Sequence, residues 1–482
     1  MVIVWRDEST GMTRPKSGDV NRDTAMRTNR GLVLALLVSV LWRATPAAQT
    51  VPPAFQLARE GRTLSAAQVN DLETRLTTNP EDLAARTRLL GYYFASAQRV
   101  MGADATRAAR RRHIIWIIEH HPEADVTTLS EMTIDPAGHP LADPDGYAEA
   151  KTRWLAQTDR GKDDARVLLH AARFFRLPDR ALALDLLKQA VRLSPTDATA
   201  AGELGYVYAI TILGVTMINN NGLPMNADPA AATGALARQS IAEVRASSNL
   251  AVIRSAGAIL AQYGVMVGAI SKGAINQDAL AEELLTKAEA MNPADFGTVQ
   301  SLTTLYHLQW IRAQTAADRT KFATQELEQA ERAVERSNAD PDWYRASLLM
   351  AAKAAIEANE VGKARQFATT ALAQVGSRND NTTGQTIHDS HVVLGRVALR
   401  TGNVAEAKAQ LQQAGHVTGG GSLTSFGPNV SLAKELLERG ERDAVVQYLE
   451  ACGAFWPNRM LTQWIQTITR GGTPNFGANL TY

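Results

Sequence analysis

The 482-residue sequence contains few of the residues that stabilise small domains or bind metals. It has 1 Cys, so no disulfide forms within the chain and no cluster of thiolates holds zinc. Its 18 Pro and 34 Gly follow no three-residue period, which excludes a collagen-like repeat. Aromatic residues are only 6%, whereas hydrophobic residues are 45% and are mainly Ala and Leu. This balance favours helices over sheets.

Neither sign of charge is in excess, because 50 Lys and Arg stand against 49 Asp and Glu. Proteins bind nucleic acids through a surplus of Lys and Arg on their own surface. The balanced composition of this chain therefore predicts no nucleic-acid partner. Two uncharged runs, Leu204 to Ile218 and Ser255 to Ser271, are shorter than the roughly 20 residues that span a bilayer. We interpret both as buried helices and expect no stable membrane span after removal of the signal segment.

The first 48 residues have the layout of a secretory signal. A basic stretch, Met26 to Arg30, precedes an apolar run from Gly31 to Trp42 and a small-residue segment from Ala44 to Ala48. We therefore expect residues 1–48 to be a leader and signal peptide, and the mature chain to be exported to the periplasm or the extracellular space. A start at Met1 or Met26 and a frayed N-terminal helix remain open alternatives.

One spacing of small and large apolar residues occurs twice in the sequence. From Phe174 in the first copy and from Leu436 in the second, the following positions are separated by 9, 4, 3 and 5 residues. The two copies are Val167, Ala171, Phe174, Ala183, Leu187, Ala190 and Pro195, and Ala433, Leu436, Val445, Leu449, Cys452 and Pro457. Steps of 3 and 4 place apolar residues on one helical face, and the 9-residue step accommodates a turn. Each copy therefore predicts two antiparallel helices ended by a proline.

Further copies begin at Leu204-Gly205 and Leu394-Gly395, and Gly205 follows Ala171 by 34 positions. With this period and alternation the chain resembles the tetratricopeptide repeat (TPR) family, whose unit is a helix, a turn and a helix. The endings Ser425 to Asn429 and Phe476 to Leu480 resemble uncharacterised bacterial TPR-containing exported proteins. The resemblance implies a superhelix with a concave surface that binds a protein or peptide.

The predicted fold is therefore all-α: an α-solenoid of stacked TPR-like helix pairs with a C-terminal capping helix over residues 458–470. We divide the chain into a leader (1–48), degenerate N-terminal TPR-like helices (49–161), central TPR-like repeats with insertions (162–350), and C-terminal TPR-like repeats with the cap and a tail (351–482). The insertions lie around residues 219–226, 264–273 and 419–429, where loops commonly carry binding residues.

Residues that carry chemistry are scarce. His388 and His391 are three residues apart and share one face of a helix, but no Glu follows His388 to act as a general base. They are weak metal candidates, as are His113 and His120. Nucleophile elbows, phosphate loops and dinucleotide fingerprints are absent from the sequence, so we predict no metal, no cofactor and no enzyme.

The favoured function is an exported, non-catalytic TPR scaffold that binds a protein or peptide on its concave face. An accessory subunit of a bacterial envelope or secretion complex is the second possibility, and a metal-dependent enzyme is the third. We expect the partner-binding side chains on the inner face of first helices, and the candidates are Arg86, Arg88, Tyr92, Tyr208, Arg396 and Asn429.

Overall fold

The computed structural model describes residues 53–138, 141–219, 223–270, 275–376 and 382–481. The expected leader and signal peptide lies outside them. The first six helices are α1 (Pro53–Gly61), α2 (Ala66–Thr78), α3 (Leu83–Ala95), α4 (Gln98–Met101), α5 (Ala103–His120) and α6 (Pro144–Arg160). Two short 3-10 turns, Asp125–Thr128 and Ser130–Met132, lie between α5 and α6.

A second region begins at residue 165 and comprises the repeat pairs and the C-terminal cap. Its helices are α7 (Ala165–Phe175), α8 (Arg180–Leu193), α9 (Ala198–Ile212), α10 (Pro229–Ala232), α11 (Ala235–Ala246), α12 (Leu250–Ile270), α13 (Gln277–Met291), α14 (Phe296–Arg312), α15 (Ala316–Ser337), α16 (Pro341–Glu357), α17 (Val361–Ala373), α18 (Thr383–Arg400), α19 (Val404–Gly415), α20 (Gly421–Phe426), α21 (Ser431–Leu437), α22 (Arg442–Cys452) and α23 (Arg459–Thr469).

These helices pack as successive pairs, which confirms the all-α solenoid. The pairs are α7/α8, α9/α11, α12/α13, α14/α15, α16/α17, α18/α19 and α21/α22. First helices of neighbouring pairs also touch, as α9 touches α12 and α16 touches α18. One pair alone leaves an apolar face uncovered, and the next pair covers it.

Turns between pairs use the same chemistry several times. Pro195 and Pro293 follow the ends of α8 and α13, where the proline ring cannot continue a helix. Two residues later, the side chains of Asp197 and Asp295 accept hydrogen bonds from the first backbone N–H groups of α9 and α14. A cap of this kind stabilises a helix by about 1 kcal/mol. Only four residues, 194–197 and 292–295, therefore separate the end of one helix from the start of the next.

Small residues permit the close helix contacts that the spacing predicts. A Cβ on Gly205 of α9 would lie 2.3 Å from the carbonyl oxygen of Val252 on α12. The N-terminal helices show the same device, because a Cβ on Gly91 of α3 would lie 1.9 Å from the carbonyl oxygen of Ala58 on α1. Backbones meet at both crossings, so any side chain there would force the helices apart.

A β-hairpin interrupts the helices after α9, where the sequence predicted only an inserted loop. Strand β1 (Val215–Ile218) pairs antiparallel with β2 (Pro224–Ala227). Val215 is fully buried, whereas Met217 is 52% exposed. The inserted segment is thus anchored by one end and presents the other to solvent. The second expected insertion, around residues 264–273, is helical over its first part, because α12 continues through Ile270.

The C-terminal cap forms as predicted, with the side chain of Asn458 capping the first turn of α23. Trp464 of α23 lies on the buried face and contacts the rings of Trp456 and Phe476, with ring centroids 5.9 and 5.1 Å apart. The cap therefore closes the last helix pair and also holds the chain that follows it. Within the described ranges, no helix combines the length and apolar character needed to cross a membrane.

Candidate functional site: a groove occupied by the tail

The segment after α23, Pro474–Thr481, is called the tail, and it lies against helices that are distant in sequence. Phe476 anchors it and is 1% exposed. A 3-10 turn, Gly477–Leu480, then directs it away from the cap. At its far end the carbonyl oxygen of Thr481 is 3.1 Å from Nε2 of His307 on α14, a contact between residues 174 positions apart. The tail thus passes from the cap to the fourth repeat pair.

The tail lies in a groove formed mainly by first helices, which we call the tail groove. Its walls are His307, Trp310, Glu326, Lys353, Ile356, Glu357, Asp389, Val392, Val393, Arg396, Asn429 and Ser431, with Leu480 and Thr481 of the tail inside. The volume left is about 30 Å³, enough for a water or two. Little space therefore remains between these walls and the two tail residues.

One asparagine makes most of the tail's polar contacts. The side-chain amide of Asn479 donates to the carbonyl oxygens of Phe426 and Pro428 at 3.1 and 2.9 Å. The backbone carbonyl oxygen of Asn479 accepts from the backbone N–H of Val430 at 2.8 Å. Asn479 is 6% exposed, so these bonds are made away from water. A buried amide with its donors satisfied in this way fixes the position of the tail.

His307 joins the tail to the wall of the groove. Its Nδ1 is 3.0 Å from Oε1 of Glu326, and its Nε2 is 3.1 Å from the carbonyl oxygen of Thr481. Both neighbours are acceptors, so the imidazole satisfies both only when each nitrogen carries a proton. Burial alone lowers the pKa of His307, but the Glu326 carboxylate outweighs burial and raises the pKa above its ordinary value.

Fixed ion pairs occupy the rest of the groove. Nζ of Lys353 is 2.6 Å from Oδ2 of Asp389, and Arg396 bridges Glu357 and Glu435. Burial raises the pKa of Asp389, but Lys353 and His388 outweigh it and lower that pKa to about 2. Asp389 is therefore ionised at neutral pH, and the ion pairs of the groove link α16, α18 and α21.

Some buried polar atoms of the wall have no hydrogen-bond partner among the described residues. Oε2 of Glu326 and Oγ of Ser431 are two of them. Glu326 is 5% exposed and Ser431 is 8% exposed. An unsatisfied buried acceptor costs about 1–3 kcal/mol, so a donor placed there by a ligand would be stabilising.

The structure brings together two of the six residues selected from the sequence. Arg396 and Asn429 both line the tail groove. Arg396 is nevertheless engaged by Glu357 and Glu435, and Oδ1 of Asn429 accepts from the backbone N–H of Ser431 at 2.9 Å. Both residues therefore shape the wall.

The other four candidates lie elsewhere and mostly inside the packing. Arg86 is 6% exposed, with its guanidinium 3.6 Å from the centroid of the Trp116 ring. Tyr92 is 5% exposed and Tyr208 is 3% exposed, and the Tyr208 hydroxyl donates to Glu243. These three side chains are therefore buried in the packing, and their role in partner binding stays a prediction. Arg88 remains half-buried on α3 and pairs with Glu60 at 3.0 Å.

The two metal candidates on α18 point to different neighbours. His388 is fully buried, with Nδ1 2.7 Å from Oδ1 of Asp389 and Nε2 2.9 Å from the hydroxyl of Tyr448. Nδ1 of His391 is 2.6 Å from Oε1 of Gln410 on α19. His388 is thus one link of a buried hydrogen-bond chain, and the pair does not converge on a shared position.

His113 and His120 on α5 are separated in the same way. Nε2 of His113 is 3.0 Å from a Glu73 oxygen, whereas the His120 ring stacks on Trp116. In the part of the chain that the structure describes, no three His, Cys, Asp or Glu side chains form a group suited to a metal.

A second depression lies on α5 and α6 and has a volume of about 520 Å³. Arg107, Arg111 and Arg112 line it. Each pairs with a carboxylate: Arg107 with Asp104, Arg111 with Asp143 and Arg112 with Glu73. The depression is wide and its cations are already neutralised locally. We therefore regard the tail groove, where a peptide segment is actually bound, as the better-defined site.

The chain matches solved structures of IFIT1 over most of its length. The human IFIT1 dimer with PPP-AAAA has 17% identity and a TM-score of 0.35, covering 91% of this chain and 93% of that one. The human IFIT1 dimer with m7Gppp-AAAA has 15% identity and a TM-score of 0.34, covering 94% and 95%. A monomeric IFIT1 mutant with Gppp-AAAA has 16% identity and a TM-score of 0.35, covering 92% and 93%. These values describe a similar helical-repeat fold and carry no argument about function.

No protein-family model matches the chain, and no curated protein matches its sequence significantly. What stands is a TPR-like helical-repeat fold, whereas membership of the TPR family and kinship with bacterial exported proteins remain resemblances of the sequence.

The expectation that nucleic acid is excluded as a partner is corrected, because its ground was the composition alone. Several of the matched IFIT1 structures are described with triphosphate or capped RNA. The expectation relied on the net charge of +1, which describes the whole chain. A balanced total says nothing about local clusters such as the arginines of α5, so it cannot exclude a class of partner.

Proposed function

We propose that this chain is a non-catalytic scaffold that binds a short polypeptide segment in the tail groove. The observation that supports the proposal is the tail itself, because the groove already holds one short segment of protein, which ends in a 3-10 turn. In that segment the side-chain amide of Asn479 donates to the carbonyl oxygens of Phe426 and Pro428, and the carbonyl oxygen of Thr481 accepts from His307. First helices of a solenoid form the inner wall of its superhelix, where such proteins present extended surfaces.

The polar side chains of the groove support binding better than catalysis. Lys353, Asp389 and His388 are engaged with one another, and His388 and Asp389 are buried. A general acid or base must reach a substrate atom within hydrogen-bond distance. Groups that are enclosed and paired in this way stabilise the wall and leave recognition to the surface of the groove.

We also propose that the scaffold works after export. The basic, apolar and small-residue stretches of residues 26–48 support this proposal. N-terminal sequencing of the protein from cell fractions tests it. A mature chain beginning near residue 49 in an extracytoplasmic fraction is the expected result, and an intact N-terminus in the cytoplasm would contradict it.

An array of 12-residue peptides of randomised sequence tests the binding function. The full-length chain is probed as Asn479→Asp, which places a carboxylate against the carbonyl oxygens of Phe426 and Pro428 and so weakens the tail. Asn475→Asp is the matched control, because Asn475 is exposed and only accepts a hydrogen bond from Gly477.

We expect peptides that bind Asn479→Asp and lose affinity when Glu326→Gln is added, because Glu326 provides an unused buried acceptor. If no peptide binds in a groove-dependent way, the proposal fails. Binding of a 5′-triphosphate oligoribonucleotide at the groove, in place of peptides, would also contradict it.

A further inference from the structure

The contacts of the tail define what kind of segment the groove accepts. Three hydrogen bonds involve one residue, Asn479, and two of them require its side-chain NH2 group. Aspartate has the same shape but no N–H, and it would repel the two carbonyl oxygens. The pocket formed by Phe426, Pro428 and Val430 therefore selects asparagine by chemistry that a similar-sized acid cannot reproduce.

The two residues after the asparagine, Leu480 and Thr481, contact the protein in different ways. Leu480 is half-buried and packs against the apolar core of the last repeats. Thr481 is engaged through its backbone carbonyl, which accepts from His307, and its side chain turns back to the carbonyl oxygen of Ala478 at 3.3 Å. The groove thus requires an apolar side chain at the first position and only a main-chain acceptor at the second.

We propose that the tail is a built-in competitor, and that the external ligand of the groove is a protein segment that forms the same 3-10 turn, with asparagine followed by an apolar residue. This inference rests on the proposed function. The partner occupies the place of Asn479, Leu480 and Thr481, and the tail must leave before it binds.

The covalent attachment of the tail allows the strength of its competition with an external segment to be estimated. A segment joined by a short linker has an effective concentration on the order of 1 mM at its site. If the free tail sequence binds with a Kd of about 100 μM, the tethered tail weakens the binding of an external segment about tenfold. A natural partner overcomes this through extra contacts, and the unused oxygen Oε2 of Glu326 offers one to a ligand N–H.

The test uses a fluorescent peptide with the sequence of residues 475–482 and full-length protein in three forms. These are the native chain, Asn479→Asp, and the control Asn475→Asp. A second peptide has aspartate at the position of Asn479. Leu480→Ser is an additional way to release the tail, in case Asn479→Asp does not fold, and circular dichroism establishes folding for each variant.

We expect the first peptide to bind Asn479→Asp and Leu480→Ser about tenfold more tightly than the native chain and Asn475→Asp. The aspartate peptide should bind at least tenfold more weakly than the first peptide. Equal affinity for native and released chains would overturn the role of the tail as competitor. Equal affinity of the two peptides would overturn asparagine selection.

Failure of this inference is distinguishable from failure of the proposed function. If the random array yields groove-dependent peptides without an asparagine and apolar pair, the scaffold function stands and the ligand class proposed here is wrong. If neither the array nor the tail peptide yields groove-dependent binding, the scaffold function itself is wrong.

Discussion

Replacing Asp389 by asparagine tests whether the charged wall of the groove stabilises the repeats around it. Asp389 is 1% exposed and lies 2.6 Å from Nζ of Lys353 and 2.7 Å from Nδ1 of His388. Asp389→Asn keeps the shape of the side chain and removes its charge. Lys353 then loses its partner at the edge of a buried site, which is costly because few water molecules replace it.

The lowered pKa of Asp389 gives the size of the expected loss of stability. The pKa of Asp389 falls from 3.8 to about 2, and each unit corresponds to about 1.36 kcal/mol. The ionised form therefore contributes about 2 kcal/mol to the stability of this region. Because the folded-state pKa lies below the unfolded one, this contribution is complete above pH ~3.8 and is lost as pH falls through about 2.

Hydrogen exchange measured by mass spectrometry is the suitable assay, because repeat proteins open locally. At pH 7 we expect amides of Thr383–Arg400 to exchange roughly 30-fold faster in Asp389→Asn, which corresponds to about 2 kcal/mol. Amides of Arg180–Leu193 in the same molecules should be unchanged. Adding Lys353→Met should recover part of the loss, because the unpaired cation is removed.

At pH 2.5 the exchange rates of Asp389→Asn and of the native protein should move towards equality. An effect of less than twofold at pH 7, or an equal effect on Thr383–Arg400 and Arg180–Leu193, would refute this account of the wall.

Three further predictions follow from single positions. Gly205→Ala should lower the free energy of unfolding by about 1–3 kcal/mol in urea, because its Cβ meets the carbonyl oxygen of Val252, whereas Gly202→Ala on the same helix meets nothing within 4 Å and should be neutral or stabilising. Glu326 raises the pKa of His307 against burial, and the carbonyl oxygen of Thr481 in the docked tail raises it further, so docking should weaken as pH rises through that raised value. Protease cleavage of the tail should then accelerate, and His307→Gln should abolish that pH dependence. Burial raises the pKa of Cys452 to about 12, so iodoacetamide should modify it at pH 8 only after unfolding, and rapid modification of the native chain would contradict its burial.

The repeat architecture could be predicted because its signals are local. Ala171, Ala183 and Ala190 are fully buried, as the spacing required, and Pro195 ends its helix pair. Steps of 3 and 4 residues report on one helix face wherever they occur. The hairpin after α9 was missed because strands of four residues show too little alternation to be recognised.

The candidate site could be predicted only in part. Arg396 and Asn429 were found because they lie on first helices or at their start, and they line the groove. Arg86 and Tyr208 occupy similar positions in their helices but face neighbouring elements and are buried. The contact between His307 and the tail joins residues 174 positions apart, and no local pattern encodes it.

Photo-crosslinking tests the central claim, that the tail groove binds a short polypeptide segment, most directly. The peptide of residues 475–482 is made with a photo-reactive leucine at the position of Leu480 and is irradiated with full-length Asn479→Asp protein. The account predicts crosslinks within Phe296–Arg312, Pro341–Glu357 and Thr383–Arg400, with far fewer in the native chain. Crosslinks concentrated on Ala103–His120, or spread evenly over the solenoid, would contradict it.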